Sequence, residues 1–170
     1  MLNFLTKLAI LTSFVVFAGF TVDDWLGQLT GRHDEIKNLL DLPQNTSPLP
    51  TLPVLLGTGI AFAGIAGLTI SFIAIWRILS DGPTQDFRHL ARRLHRMAYG
   101  FLTFWLSNYL LFSLVRSLIL WQTPAFNTAE LHWDPFGPDL IFAITAVALL
   151  AIAKMMERAW QAEDETRHFL

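Results

Sequence analysis

The feature that most constrains this chain is a set of four long apolar stretches, each of the length that a bilayer requires. A hydrocarbon core about 30 Å thick takes roughly 20 apolar residues in a helix. The stretches cover about residues 4–22, 52–79, 97–121 and 140–156. Because lipid offers no hydrogen bonds, each stretch must satisfy its own backbone, which favours helices. We therefore predict an all-α protein, a four-helix transmembrane bundle that forms a single integral membrane domain over residues 1–170.

Composition agrees with a lipid-facing surface. Charged residues make up 15% of the chain and hydrophobic residues 53%, whereas soluble domains carry about 25% charged residues. The first stretch has an alternative interpretation as a cleaved signal peptide, with Lys7 ahead of the apolar run. That run is longer than the roughly 7–15 residues of a signal sequence, and Ala18-Gly19-Phe20 is a poor cleavage site. We therefore predict that it stays as a span.

The loops between the stretches differ in charge. The first loop contains Arg32 and Lys37 among five acidic residues, and the loop over residues 122–139 contains no lysine or arginine. The loop between the second and third stretches carries Arg77, Arg88, Arg92, Arg93 and Arg96. Since basic residues favour the cytoplasmic side, we predict a bacterial inner-membrane protein with both termini and the middle loop in the cytoplasm.

The basic segment before the third stretch has two faces. One face is apolar, and the other carries four arginines: Arg88, Arg92, Arg93 and Arg96. This pattern predicts a short amphipathic cytoplasmic helix before the third span. Two roles stay open, anchoring to anionic lipid headgroups and docking of an acidic cytoplasmic partner. The net charge of -2 gives no indication of direct nucleic-acid binding.

The second stretch is rich in small residues. Gly59, Ala63 and Gly67 are spaced four apart, and small residues at this spacing let membrane helices approach closely. They predict a helix-packing face. Whether that face packs inside the bundle or against another protein stays open.

Arg116 is the one charged residue deep in the third stretch, about six residues from its end. An ionisable residue within a span marks a candidate functional site. Tyr109, seven residues earlier, and Ser113 complete a candidate polar site at the outer leaflet. The arginine could instead pair at the membrane surface, bind a ligand or lipid, or serve transport, although no span contains a deep carboxylate. The acidic residues available for pairing are Asp23, Asp24 and Asp139.

Catalytic and cofactor chemistry finds no support in the sequence. The absence of cysteine excludes disulfides, thiolate metal sites and cysteine nucleophiles. No histidine lies in the core of a span, which argues against a bis-histidine haem. The chain also lacks H-E-x-x-H, a serine elbow and a phosphate-binding loop. We predict no catalytic residue, no metal site and no cofactor.

Two segments carry a resemblance to a known family. They are residues 86–100, DFRHLARRLHRMAYG, and residues 151–159, AIAKMMERA. With four spans in a chain of this size, the pattern resembles the bacterial membrane-protein family catalogued as domain of unknown function 2975. That family usually ends its fourth span with a phenylalanine-arginine-glycine stretch, where Met156-Glu157-Arg158-Ala159 stands here. It has no established activity, and its members often accompany a small helix-turn-helix regulator, which implies a sensing or sequestering role.

These observations predict a non-enzymatic polytopic inner-membrane protein. It would act through helix packing and its basic cytoplasmic face, as an accessory subunit of a membrane complex or a membrane-bound regulatory partner. Its expected partners are anionic lipid headgroups and a membrane protein or cytoplasmic regulator. The alternative is a small transporter or a ligand or lipid sensor that uses Arg116 near the outer leaflet.

Overall fold

The computed structural model of the protein describes residues 2–29, 34–42, 49–80, 87–122 and 140–168. All the regular secondary structure in these ranges is helical. The helices are α1 (Leu2–Leu29), α2 (Asp34–Leu39), α3 (Thr51–Ser80), α4 (Phe87–Leu110), α5 (Arg116–Trp121) and α6 (Leu140–His168). A π-helical segment, Leu111–Val115, joins α4 to α5. The predicted all-α class is confirmed for the described residues.

Three helical stretches are long enough and apolar enough to cross a membrane: Thr51–Ser80, Phe87–Trp121 and Leu140–Thr166. They correspond to the second, third and fourth predicted spans. At 1.5 Å per residue, even the shortest exceeds a hydrocarbon core of about 30 Å. In α1 the apolar run that the structure describes is shorter, Leu5–Val16.

The basic segment before the third span is not a separate short helix. Residues 87–99 form the first turns of α4, and helix continues from Phe87 to Trp121. No proline interrupts this stretch, so nothing in its backbone chemistry ends the helix there. The predicted short helix is therefore corrected to an extension of the third apolar helix.

The long helices pack side by side in chain order. Helix α1 packs on α3, α3 on α4, and α4 on α6. Within the described ranges, α6 contacts neither α1 nor α3. Within these ranges the helix bundle is therefore an open one, with its long helices in a row. Lipid tails are as apolar as the helix faces, so no hydrophobic force acts to close the row.

Contacts along α1 and α3 establish that the two helices run antiparallel. The Lys7 ammonium donates a 3.0 Å hydrogen bond to the Ser80 hydroxyl. Phe14 stacks on Phe72 with ring centroids 4.9 Å apart. At the opposite end, Trp25 lies against Gly57. The contacts therefore extend over most of the length of α3.

Helix α4 also runs antiparallel to α6. Phe104 and Phe142 meet edge to face with centroids 4.8 Å apart, and His95 lies 3.6 Å from the Glu157 carboxylate. The row consequently has two ends. We call the end with Trp25, Gly57 and Arg116 the Arg116 end, and the opposite end the Arg93 end.

The closest approach of two helices is between α3 and α4. A Cβ atom on Gly67 would lie 2.7 Å from the Gly100 carbonyl oxygen, and one on Gly100 would collide with the Ser71 hydroxyl. That hydroxyl donates a 2.9 Å hydrogen bond to the Met97 carbonyl oxygen on α4. Small residues and an interhelical hydrogen bond are the means by which helices associate in lipid.

The packing face of α3 differs from the predicted one. Gly67 lies in the crossing, but Gly59 and Ala63 are exposed, and a Cβ on Gly59 would have nothing within 4 Å. Gly57 and Gly64 are buried with Gly67. Small residues line two adjacent rows of this helix, and the row that packs is the one that meets Gly100 and Ser107 of α4. The internal packing positions are corrected accordingly.

Candidate functional site

The candidate site lies at the Arg116 end, on a buried apolar cluster. The cluster draws residues from α1, α2, α3, the π-helical segment, α5 and the ends of two loops: Trp25, Ile36, Leu40, Leu42, Leu49, Ala61, Leu111, Val115, Ile119 and Leu120. Trp25 is 1% exposed, and its ring occupies the space beside Gly57, where a Cβ would come within 2.5 Å of Trp25 Cη2. The absence of a side chain at Gly57 therefore makes room for the indole.

Helix α2 ends above this cluster in a left-handed residue. The Leu42 N–H donates to the Lys37 carbonyl at 2.7 Å and the Asp41 N–H to the Asn38 carbonyl at 3.2 Å, the pattern of a Schellman motif. Asp41 has a φ of 50°. This position usually holds glycine, because a left-handed conformation costs an L-residue roughly 1 kcal/mol.

Arg116 connects the long helix to this turn. Its Nη2 donates to the Asp41 carbonyl oxygen at 3.2 Å and lies 3.6 Å from Asp41 Oδ2. The arginine side chain is 16% exposed and the aspartate side chain 93%. Such an exposed pair contributes at most about 1 kcal/mol. Asp41 was not among the three predicted partners, and of those three Asp139 and the Asp24 side chain lie outside what the structure describes.

Two N–H groups at this end are buried without an acceptor among the described residues. They are Arg116 Nε and Trp25 Nε1. A buried donor that loses its partner costs about 1–3 kcal/mol. Both groups can only donate. The arrangement is therefore suited to a group that supplies acceptor oxygens.

The π-helical segment immediately precedes Arg116. A π turn closes its hydrogen bonds one residue later than an α turn and is frequent at functional sites. Within it, the Ser113 hydroxyl donates to the Tyr109 carbonyl at 2.5 Å, and Tyr109 stacks on Trp105 with centroids 5.8 Å apart. The predicted polar site consisted of Tyr109, Ser113 and Arg116. Arg116 pairs with Asp41, whereas the Ser113 hydroxyl donates its hydrogen bond within its own helix.

The four predicted docking arginines lie at the Arg93 end and divide into two pairs. Arg93 donates to the Arg77 carbonyl at 2.9 Å, and Arg88 lies 5.0 Å from the centre of the Trp160 ring. These two connect α4 to α3 and to α6. Arg92 and Arg96 are exposed, as is Arg88, and the Arg92 guanidinium lies 3.1 Å from His89 Nδ1. Of the four predicted arginines, only Arg93 is partly buried.

Several residues of these contacts escaped the sequence analysis. No sequence feature distinguishes Trp25 from a tryptophan at the membrane interface, or Asp41 from the other acidic residues of the first loop. The Leu40-Asp41-Leu42 triplet after a short amphipathic pattern was the available signal for a helix stop. Nothing in the sequence singled out Gly57 or Gly100 from the other glycines.

Comparison with known proteins supplies no relative. The chain matches no protein-family model, and comparisons with curated proteins and with solved structures also give no match. The family resemblance noted from residues 86–100 and 151–159 stays a prediction. Within the described ranges, no three His, Asp or Glu side chains are placed to hold a metal ion.

Proposed function

We propose that this is a non-enzymatic membrane protein that works by packing against another membrane protein, as an accessory subunit or a membrane-bound regulatory partner. One observation carries the proposal. Helix α6 packs on α4 alone among the described long helices. Its other face is exposed and apolar over most of its length, through Ile141, Ile144, Val147, Ile152 and Met155.

The exposed face of α6 suits a partner helix. Ala148 and Ala151 are exposed between the larger side chains, and small residues let a second helix approach closely in lipid. At the Arg93 end, Arg92 and Arg96 add an exposed basic surface for an acidic cytoplasmic region. A small regulator of the kind implied by the family resemblance would fit this second surface.

We also propose that α1 is a fourth span. Its contacts with α3 run from Lys7 to Trp25, 18 residues apart, which at 1.5 Å per residue is about 27 Å. This length is close to the thickness of the hydrocarbon core. A helix that lies along most of a spanning helix would cross the bilayer with it, which favours a retained span over a cleaved signal.

The proposed orientation puts the Arg93 end in the cytoplasm of a bacterium, with both termini inside. Lys7, Arg77 and the arginines of α4 gather at that end. The loop next to the Arg116 end is acidic. The positive-inside rule supports this orientation in the inner membrane.

Site-specific photocrosslinking in intact membranes tests the partner. A photoreactive residue at Val147, which is 61% exposed on α6, should give a protein adduct of one defined mass. The matched control is Val15, an exposed apolar position on α1, which should react with lipid only. Equal protein adducts at both positions, or none at Val147, would contradict the proposal.

A loss-of-contact variant completes this test. Val147→Trp adds bulk to an exposed face, so it should reduce co-purification of the crosslinked protein several-fold while the melting temperature stays unchanged. Ala146 lies one residue away and is fully buried, so Ala146→Trp should instead destabilise the fold. If Val147→Trp leaves co-purification intact, α6 is not the contact surface.

A second candidate function is a ligand or lipid sensor that uses Arg116. The specific observation in its favour is the pair of buried N–H donors, Arg116 Nε and Trp25 Nε1, which have no acceptor among the described residues. Recognition of a ligand by these groups needs no catalytic residue, and it is compatible with partner binding through α6.

A further inference from the structure

The chemistry of the Arg116 end selects a class of ligand. Both buried unpartnered groups are N–H donors, and one of them belongs to a guanidinium. A group that satisfies them must present acceptor oxygens, and the guanidinium favours a negative charge. Arginine is the side chain best suited to phosphate, because its donors form a planar fork that matches phosphate oxygens.

The two donors lie at the same end of the row. The ring of Trp25 and the side chain of Val115 both lie against Gly57, and Arg116 directly follows Val115. The Asp41 carboxylate beside Arg116 is largely exposed, so this end of the cluster opens toward the surroundings of the protein. The Arg116 side chain is 16% exposed, but its Nε and the Trp25 indole N–H are buried, so a ligand reaches these two donors only when the side chains around them move.

The depth of Arg116 agrees with a lipid headgroup. It lies five residues before Trp121, the last residue of α5, which is about 8 Å along the helix axis. Trp121 is 73% exposed, and exposed tryptophans typically lie at the membrane–water interface. An arginine at this depth extends toward the level of lipid phosphates.

We propose that Arg116 and Trp25 form a site for a phosphate group, carried by a phospholipid headgroup or free in solution, and this rests on the second candidate function. Arg116 supplies charge and the Nε donor, and Trp25 supplies its indole N–H. Asp41 competes with the ligand. Its carboxylate lies 3.6 Å from Nη2, longer than the roughly 2.7–2.9 Å of a charge-assisted hydrogen bond, so it attracts the guanidinium without a close hydrogen bond and repels an incoming anion.

Binding is measured on the full-length protein in neutral detergent, by melting temperature and by titration below the melting range of every variant. The probes are inorganic phosphate, phosphatidylglycerol and diacylglycerol with the same acyl chains. The expected result is a rise in melting temperature with phosphatidylglycerol or phosphate, and none with diacylglycerol. Stabilisation by phosphatidylglycerol alone identifies the lipid as the source, and stabilisation by phosphate alone identifies a free anion.

Three variants test which protein groups bind the phosphate. Trp25→Phe removes the N–H and keeps most of the ring, and Arg116→Lys keeps the charge but loses Nε. Each should weaken binding of the stabilising probe about tenfold, as expected for one hydrogen bond to an anion. Asp41→Asn removes the competing charge and should strengthen binding several-fold. The control is Trp121→Phe, which alters an exposed tryptophan and should leave binding unchanged.

The outcomes separate the ligand class from the sensor function. If oleate, a carboxylate lipid, stabilises the protein through Arg116 while both phosphate probes fail, the sensor function stands and the phosphate site is wrong. If no probe stabilises the protein, both are wrong. Unchanged binding in both Trp25→Phe and Asp41→Asn would also overturn the proposed site, because a purely structural Arg116–Asp41 pair predicts no gain in binding from the asparagine variant.

Discussion

At the scale of single residues, the tightest constraint is the glycine pair where α3 crosses α4. The Gly67 and Gly100 backbones touch, and the Ser71 hydroxyl bonds across to Met97. Closely packed interiors tolerate little added volume. The absence of two side chains therefore determines how near these helices can come.

Gly100→Ala should consequently destabilise the protein. The new methyl group would meet the Ser71 hydroxyl and the Gly67 carbonyl, and overpacking of this kind costs about 1–3 kcal/mol. The matched control is Gly59→Ala, where the site is open and the better helix propensity should give a gain of up to about 1 kcal/mol. Unfolding titrations with a denaturing detergent measure both, and equal stabilities would contradict the crossing.

Asp41 permits a second test that isolates the backbone. Asp41→Gly and Asp41→Ala both lose the carboxylate that faces Arg116, but only glycine adopts a φ of 50° without strain. The glycine variant should be more stable than the alanine variant by about 1 kcal/mol. Melting temperatures in one detergent compare them. Equal values would mean that the left-handed turn carries no strain.

Arg116 shows which features of a single residue can be predicted from the sequence. A charge inside an apolar stretch was visible at once, and it does lie at an unusual place in the fold. Its partner was not visible, because Asp41 is brought to it by the way α2 ends. A left-handed helix stop is easily read when it carries glycine, and here an aspartate takes the position.

At the scale of elements, the π-helical segment distinguishes the long helix of residues 87–121. Its hydrogen bonds close one residue later than in an α-helix, so one turn there accommodates an extra residue. Because of this extra residue, the helix presents the same face to its neighbours before and after the segment, and Ser107 and Ile119 are both buried. No residue in LFSLV signals this in the sequence, since all five also occur in regular helices.

Deletion of Phe112 should therefore be tolerated. Phe112 is exposed within the π segment, and its removal would restore a regular α-helix with both flanks in place. We expect a loss of no more than about 2 kcal/mol, typical of one altered surface side chain with local adjustment. Deletion of Leu102 in the regular part of α4 is the control, and it should rotate the following residues by about 100° and prevent folding. Circular dichroism and melting curves compare the two.

At the scale of the whole molecule, the helices were predictable and their arrangement was not. Span length and apolar composition identified three helices that could cross a membrane, because both properties are local. The open row was not foreseen, since neighbours are selected by details such as Gly64 and Gly67 facing α4 rather than Gly59 and Ala63. Hydropathy alone carries no information about which apolar face meets protein and which meets lipid.

Cysteine crosslinking tests the row directly, because the natural chain contains no cysteine. Cysteines in place of Phe14 and Phe72, or of Phe104 and Phe142, should be joined by a short bifunctional reagent, as these rings lie within about 5 Å. The mixed pair at Phe14 and Phe142 should not be joined within one molecule. Mass spectrometry of the monomer band identifies the crosslinked pairs. An efficient link between α1 and α6 would show that the row closes.

The open row has a consequence for how the protein is made. Among the residues that the structure describes, each long helix contacts only the long helix before it and the one after it in the chain. Its partner has therefore already been synthesised, or is the next to follow, when the helix leaves the ribosome. Chains with such local contacts fold quickly, because little loop entropy is lost before contacts form. The row can grow by one helix at a time during insertion, and α6 joins it after α4 with one face still exposed.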